Sequence, residues 1–247
     1  MSTEVILYLV LGAVAGGFIN GLSGTGTALF ALGFYLVVLD PIRAVAIVAF
    51  MSVLVGLQGL WIVRREISAQ PARLARFILP GLMGVPVGLA LLDVIDAGLL
   101  RRLVAAFLIV YGLYFGLRAS LPAFEKRTPI LDSLIGFIGG LLGGAAAVSG
   151  AIPQMYLSLR PWTKSETRAV LQPFNFAILG TTITALAFQG VFDRPTLVAL
   201  MITVPCGLWA AQLGIAVFKR LSDIGFRRLL IGLTFLMGIG ILVSELG

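Results

Sequence analysis

Gly17-Phe-Ile-Asn-Gly21-Leu-Ser23-Gly24-Thr25-Gly26-Thr27 decides how this chain is read, because it interrupts a run of 35 residues, 5 to 39, that carries no charge. One membrane-spanning helix needs about 20 apolar residues. The run is therefore too long for one span, and its middle is too rich in glycine and hydroxyl residues for a continuous helix. A second run behaves the same way: residues 133 to 159 hold 27 uncharged residues around Gly140-Leu-Leu-Gly-Gly144-Ala-Ala-Ala-Val-Ser149-Gly150. Each run fits two short helical legs. A leg of about 14 residues rises about 21 Å, short of the roughly 30 Å hydrocarbon layer, so each run is expected to enter the bilayer and return without crossing.

Composition places the whole chain in a bilayer. Of 247 residues 59% are hydrophobic, 12% are charged and 30 are glycine, with a mean hydropathy of +1.06. Soluble domains carry about 25% charge. The chain has no histidine and a single cysteine, Cys206, which leaves no ligand set for zinc, haem or an iron–sulfur cluster and no intrachain disulfide. There is no nucleotide-binding P-loop, and no cofactor is expected. The net charge of +7 comes from pairs and short clusters between apolar runs, a pattern of topology signals that does not suggest nucleic-acid binding. The N-terminus lacks a basic residue ahead of its apolar run and a small-residue cleavage site, so it reads as a retained segment.

Six further uncharged runs, 44–63, 77–92, 103–117, 169–192, 195–218 and 229–244, supply ordinary spans. With two re-entrant hairpins, 14 of the 18 Lys and Arg residues face the cytoplasm, and only Arg43, Arg101, Arg102 and Arg194 lie outside. If each long run crossed once, the split would be 8 inside and 10 outside, so the positive-inside rule favours hairpins. The expected layout is a first repeat over 1–117 (hairpin about 5–39, helices about 41–63, 74–93 and 97–117). A cytoplasmic linker, 118–131, joins it to a second repeat over 132–247 (hairpin about 133–159, helices about 165–190, 195–218 and 224–245). Three crossings per half make the halves inverted. Further matches support two copies of one plan: Arg43-Ala-Val with Arg168-Ala-Val, Pro80 with Pro205, and Asp96-Ala-Gly-Leu-Leu-Arg-Arg with Asp223-Ile-Gly-Phe-Arg-Arg. The fold class is thus an all-α polytopic membrane protein, an inverted repeat whose halves each contain a re-entrant helical hairpin and three transmembrane helices. Secondary transporters use such repeats and place the substrate near the midplane, where helices are broken.

The Gly-x-x-x-Gly-x-x-Gly-x-Gly pattern of residues 17–26, its degraded copy in the second half and the two Arg-Ala-Val helices resemble the TauE/SafE family of sulfite and organosulfonate exporter-like transporters. The similarity covers nearly the whole chain as two tandem family units. It implies passage of a small anion such as sulfite, sulfoacetate or a related C2 sulfonate or carboxylate. Where the family tends to run Gly-Gly-Gly with a proline a few residues on, this chain has Gly26-Thr27-Ala28 with Phe30, and Ser149-Gly150-Ala151 with Pro153.

Anion binding needs no buried cation if a half-helix presents its free N–H groups and the positive end of its dipole. The second legs are expected to begin near Thr25–Ala28 and Ser149–Ile152 and to point at the centre from opposite sides. That makes Ser23, Gly24, Thr25, Gly26, Thr27, Ser149, Gly150 and Ala151 the candidate substrate-binding residues, the glycines for close backbone approach and the hydroxyls as added donors. Gln172 and Asn175, beside Pro173 inside a span, and Ser52 in the first half join them as intramembrane polar groups. Gln58 and Gln212 are weaker candidates. Arg43 and Arg168 are read as topology signals that could also steer anions. Trp61 and Trp162 are read as belt residues. All eleven acids lie at or near run ends, so no proton or sodium relay is expected.

The expected function is a permease of the cell (cytoplasmic) membrane whose partners are a small anionic substrate and the lipid bilayer. Surface glycine faces leave a homodimer open. A passive anion channel would share these features and differ in conduction rate. An integral membrane enzyme would need paired acids or histidine near the interface, and Asp93 with Asp96 is the only close acidic pair.

Overall fold

The computed structural model describes residues 2–116 and 128–222, together with 224, 225, 229, 232, 235, 239 and 242. Most of the expected linker and of the last expected helix, 224–245, lies outside these residues. The elements are α1 (Thr3–Ser23), α2 (Thr27–Val38), α3 (Pro41–Ile62), α4 (Arg64–Ala69), α5 (Pro71–Leu92), α6 (Ala97–Gly116), α7 (Pro129–Ala146), α8 (Ala151–Leu157), α9 (Lys164–Phe188) and α10 (Arg194–Arg220). No strand occurs among the described residues. Among the described residues six helices, α1, α3, α5, α7, α9 and α10, are long and apolar enough to cross a membrane, which makes the chain an all-helical polytopic membrane protein.

Local sequence explains where these helices begin. Ser2 and Asp40 accept hydrogen bonds from the backbone N–H of Val5 and Arg43, Thr163 and Glu166 form a reciprocal capping box, and Asp193 accepts from Thr196. Proline occupies the first turn of α3, α5, α7 and α10, where its missing N–H costs nothing. Because Pro129 opens α7, the last three residues assigned to the linker are helical.

Both long uncharged runs fold into antiparallel hairpins. In the first, the Tyr35 hydroxyl donates to the Leu9 carbonyl at 3.3 Å, and a Cβ on Gly16 would touch Thr27 and Ala31, so α2 returns along α1 to the level of its early turns. In the second, Gly139 faces Ser149 and Pro153, and Asp132 meets Tyr156. The legs differ from the expected 14 residues apiece. The outgoing α1 and α7 have 21 and 18 residues, and the returning α2 and α8 have 12 and 7. The reason is local: Ser2 and Pro129 start the outgoing helices before the apolar runs begin, while α8 is cut short by the Ser158–Trp162 turn.

The halves are knitted by exchange. Helix α1 runs parallel to α10 along Gly17, Gly21, Gly207, Ala211 and Gly214; α7 runs parallel to α5 along Gly136, Gly140, Gly144, Gly81 and Gly88. A Cβ on Gly140 would lie 1.8 Å from the Gly81 carbonyl oxygen, so these are backbone-on-backbone seams that only small residues permit. Lys164 at the start of α9 donates to the carbonyls of Phe218 and Leu221 at the end of α10, so α9 opposes α10 and hence α1. Gly139 and Gly143 of α7 meet Phe174 and Ile178 of α9 in the same order, so α7 runs with α9. The outgoing legs α1 and α7 therefore run in opposite directions.

Candidate functional site

The two interruptions meet. Helix α1 ends at Ser23, and Gly24 and Gly26 adopt φ of +83° and +91°, left-handed conformations in which an L side chain is strained. Helix α7 ends at Ala146, and its C-cap Ala147 is also left-handed at φ +54°, before Ser149 and Gly150 lead into α8. Gly150 has ordinary right-handed angles, but a Cβ placed on it would lie 1.8 Å from Thr25 Oγ1. Thr25 of one break thus packs directly on the backbone of the other.

Around that contact lies a buried polar cluster. Ser23, Thr25, Thr27, Ser52, Ser149, Gln172 and Asn175 are each at most 4% exposed. The hydroxyls of Ser23, Thr27 and Ser149 are engaged within the protein. Ser23 Oγ lies 2.9 Å from the Ile19 carbonyl and 2.7 Å from that of Thr25, and its one proton serves one of them. Ser149 donates to Asn175 Oδ1 at 2.5 Å. Ala151, at the start of α8, is buried beside them. Gln172 Nε2 donates to the Gly56 carbonyl at 2.8 Å, and its Oε1 occupies the space a side chain on Gly24 would need.

Helix α2 has no side-chain cap: Gly26 stands at its N-cap position and contributes no acceptor. Its first N–H groups and the positive end of its dipole therefore face the junction of the breaks. Helix α8 also lacks a side-chain cap, but with seven residues it carries a much smaller dipole, so the two returning legs are unequal.

Two residues enter the site that the sequence reading did not place there. Asn20, 1% exposed, donates through Nδ2 to Thr27 Oγ1 at 2.7 Å and to the Ser52 carbonyl at 3.1 Å, while its Oδ1 has no partner. It stood inside the quoted glycine stretch, and an amide mid-span was the available signal. Arg168, read as a topology signal, is 2% exposed. Its Nη1 donates to the Gly21 carbonyl at 3.1 Å and its Nε to Gln172 Oε1 at 3.3 Å, with the guanidinium over the Phe218 ring. It caps the negative C-terminal end of α1 at the break.

Other candidates fall elsewhere. Arg43 forms a surface ion pair with Asp193 at 2.7 Å and another with Asp40 at 3.5 Å, remote from the breaks. Gln58 and Gln212 hydrogen-bond to each other on exposed faces of α3 and α10, joining the helices. Among the described residues no cluster of three or more His, Cys, Asp or Glu side chains could hold a metal ion.

No curated protein and no solved structure matches the chain. A family model does, over residues 8–241, which takes in every described helix from α1 to α10 except the first residues of α1: its description is sulfite exporter TauE/SafE. With an all-helical polytopic fold and a match of that extent, the chain belongs to the sulfite exporter TauE/SafE family and is a membrane transporter of the sulfite and anion exporter type, not an enzyme.

Proposed function

We propose that the protein is a secondary permease of the cytoplasmic membrane that moves a small oxyanion, such as sulfite, sulfoacetate or a related C2 sulfonate or carboxylate, through the junction of its two helix breaks. The observation that carries this reading is the uncapped N-terminus of α2 facing a buried junction beside the Arg168 guanidinium. Such an end attracts anions through free N–H groups and a partial positive charge of about one half. Arg168 adds a full positive charge and holds the end of α1 in place. The cation departs from the expectation that backbone donors alone suffice.

The two halves act as an inverted repeat whose hairpins dip from opposite faces. The opposed directions of α1 and α7 and the exchanged seams with α10 and α5 support this. Irregular backbone at such depth is tolerated only against protein or a wet cavity, and each break lies against the other. In the form described, Thr25 and Gly150 close the junction. Rocking of one hairpin against the other opens it to one side at a time, and Ser23, Thr27 and Ser149 then exchange their internal partners for the anion.

The test is uptake of labelled sulfite, sulfoacetate and acetate into proteoliposomes containing the parent, Ser149→Ala or Gly26→Val. The parent is expected to accumulate at least one of these anions, with both variants slower. Absence of any anion-specific flux in the parent, or variants indistinguishable from it, overturns the assignment of the breaks as the transport site.

A further inference from the structure

A second constellation of charge lies at the other end of α7. Gln70, Arg73 and Arg76 from the start of α5, Asp132 from the first turn of α7, and Arg160 and Trp162 from the turn after α8 line an open cavity of about 550 Å³. That size is typical of small-ligand sites. Asp132 stands about 22 Å along α7 from the break at Ala147, at 1.5 Å per residue, so this cavity is separate from the junction described above.

Among the described residues three guanidinium groups and one carboxylate line this cavity, and neither Arg76 nor Arg160 lies at charge-assisted hydrogen-bond distance from the carboxylate. Asp132 lies 3.6 Å from Arg76 Nη1 and 3.5 Å from Arg160 Nη2, against about 2.7–2.9 Å for a charge-assisted hydrogen bond. Its firm partner is the Tyr156 hydroxyl, which donates to Oδ1 at 2.6 Å. Arg160 in turn donates to the Tyr156 and Thr128 hydroxyl oxygens. The Arg160 and Asp132 side chains are only 5% and 8% exposed, so these charges act in a medium that screens them weakly. The Arg73 guanidinium stacks 4.0 Å above the Trp162 ring, which fixes a third cation on the wall.

We propose that this cavity binds a small oxyanion between Arg73, Arg76 and Arg160, with Asp132 as the built-in competitor that the anion displaces from Arg76 and Arg160. A cleft lined mainly by one sign of charge raises the local concentration of the opposite ion. Guanidinium forks match the paired oxygens of sulfite, sulfate and carboxylate. The cavity is a recruiting site, and Trp162, expected to be a belt residue, is part of its wall.

The reporter is Trp162 itself. The chain has three tryptophans, so a full-length Trp61→Phe/Trp209→Phe protein in detergent leaves Trp162 as the only indole. Sodium sulfite, sodium sulfate and sodium acetate are titrated against it at constant ionic strength set with chloride. The expected result is a saturable change in emission, weakened about tenfold or more by Arg76→Gln and strengthened about tenfold by Asp132→Asn, a change of about 1.4 kcal/mol each way. The proposal is overturned if none of the three anions changes the emission, or if the response is unaltered in Arg76→Gln. It also falls if a folded Asp132→Asn protein binds no more tightly than its parent. Should Asp132→Asn fail to fold, Arg76→Gln, on the cavity rim, decides alone. Emission changes without uptake in proteoliposomes would overturn the permease reading only, and uptake without them would overturn the cavity only.

Discussion

At the scale of single residues, the junction is governed by one missing methyl and one buried cation. Gly150 has backbone angles any residue adopts, so Gly150→Ala brings no backbone strain, only a Cβ 1.8 Å from Thr25 Oγ1. The clash is between the two halves, and it forces the breaks apart. Gly150→Ala is therefore expected to lower proteoliposome flux about tenfold or more, equivalent to at least 1.4 kcal/mol, and Thr25→Gly in the same chain to restore most of it. Loss without recovery would show that Gly150 acts through something other than this contact. Arg168 works differently: it offsets the carbonyl end of α1 from inside the bundle. Arg168→Gln leaves those carbonyls without a cation, at about 2 kcal/mol, and is expected to lower the melting temperature in detergent by roughly 4–8 °C. Arg168→Lys keeps the charge without the fork and should fall between. A melting temperature unchanged in Arg168→Gln would remove the capping role.

At the scale of elements, the all-helical character was legible in sequence, and the pairings of the helices were not. Long apolar runs announce helices because a bilayer leaves backbone groups no other partner; among the described residues six helices are long and apolar enough to cross, four in runs expected to be spans (α3, α5, α9 and α10) and two, α1 and α7, in the runs expected to be hairpins. The glycines at 17, 21, 136 and 140 pack backbone on backbone, but nothing in a one-dimensional pattern says that α1 would choose α10 from the other half. The surface clamp between the halves is equally non-local: Arg43 at the start of α3 reaches Asp193, 150 positions away, at the cap of α10. The Asp193 carboxyl is held below the usual range near 4, chiefly by the Thr196 N–H, then by the Thr196 hydroxyl, with Arg43 adding. A lowered folded-state value means that the stabilisation is complete above the unfolded value and is lost as pH falls through the lowered one. Thermal stability should therefore decline below about pH 4, and Asp193→Asn, which can still cap but cannot titrate, should show a shallower acid limb. Identical acid limbs in the two proteins would mean that Asp193 does not contribute to the acid sensitivity.

At the scale of the whole molecule, the charged residues divide into those that mark the faces of the bilayer and those the fold takes inside, and only packing separates them. Arg168 and Arg160 stand in the same basic cluster as Lys164, with nothing in their spacing to distinguish them, yet both arginines are buried, one at a helix break and one beside Asp132. Asp132 likewise sits at the end of an uncharged run in the sequence and is buried in space, because the return of α8 brings Tyr156 and Arg160 over it. Counting charges by loop nevertheless yields a definite topology, and the antiparallel hairpins make it testable. If α2 carries the chain back to the face from which α1 entered, Thr3 and Leu39 lie on one side of the membrane and Gln70 on the other. Single cysteines at these positions, in a Cys206→Ser background, would be treated with a membrane-impermeant maleimide on right-side-out and inverted vesicles. Thr3→Cys and Leu39→Cys are expected to label from outside and Gln70→Cys only from inside. On the second hairpin, Pro161→Cys should label from inside and Gln189→Cys from outside. Labelling of positions 3 and 39 from opposite faces would mean that the first uncharged run crosses the bilayer, and the inverted arrangement of the two halves would fall with it.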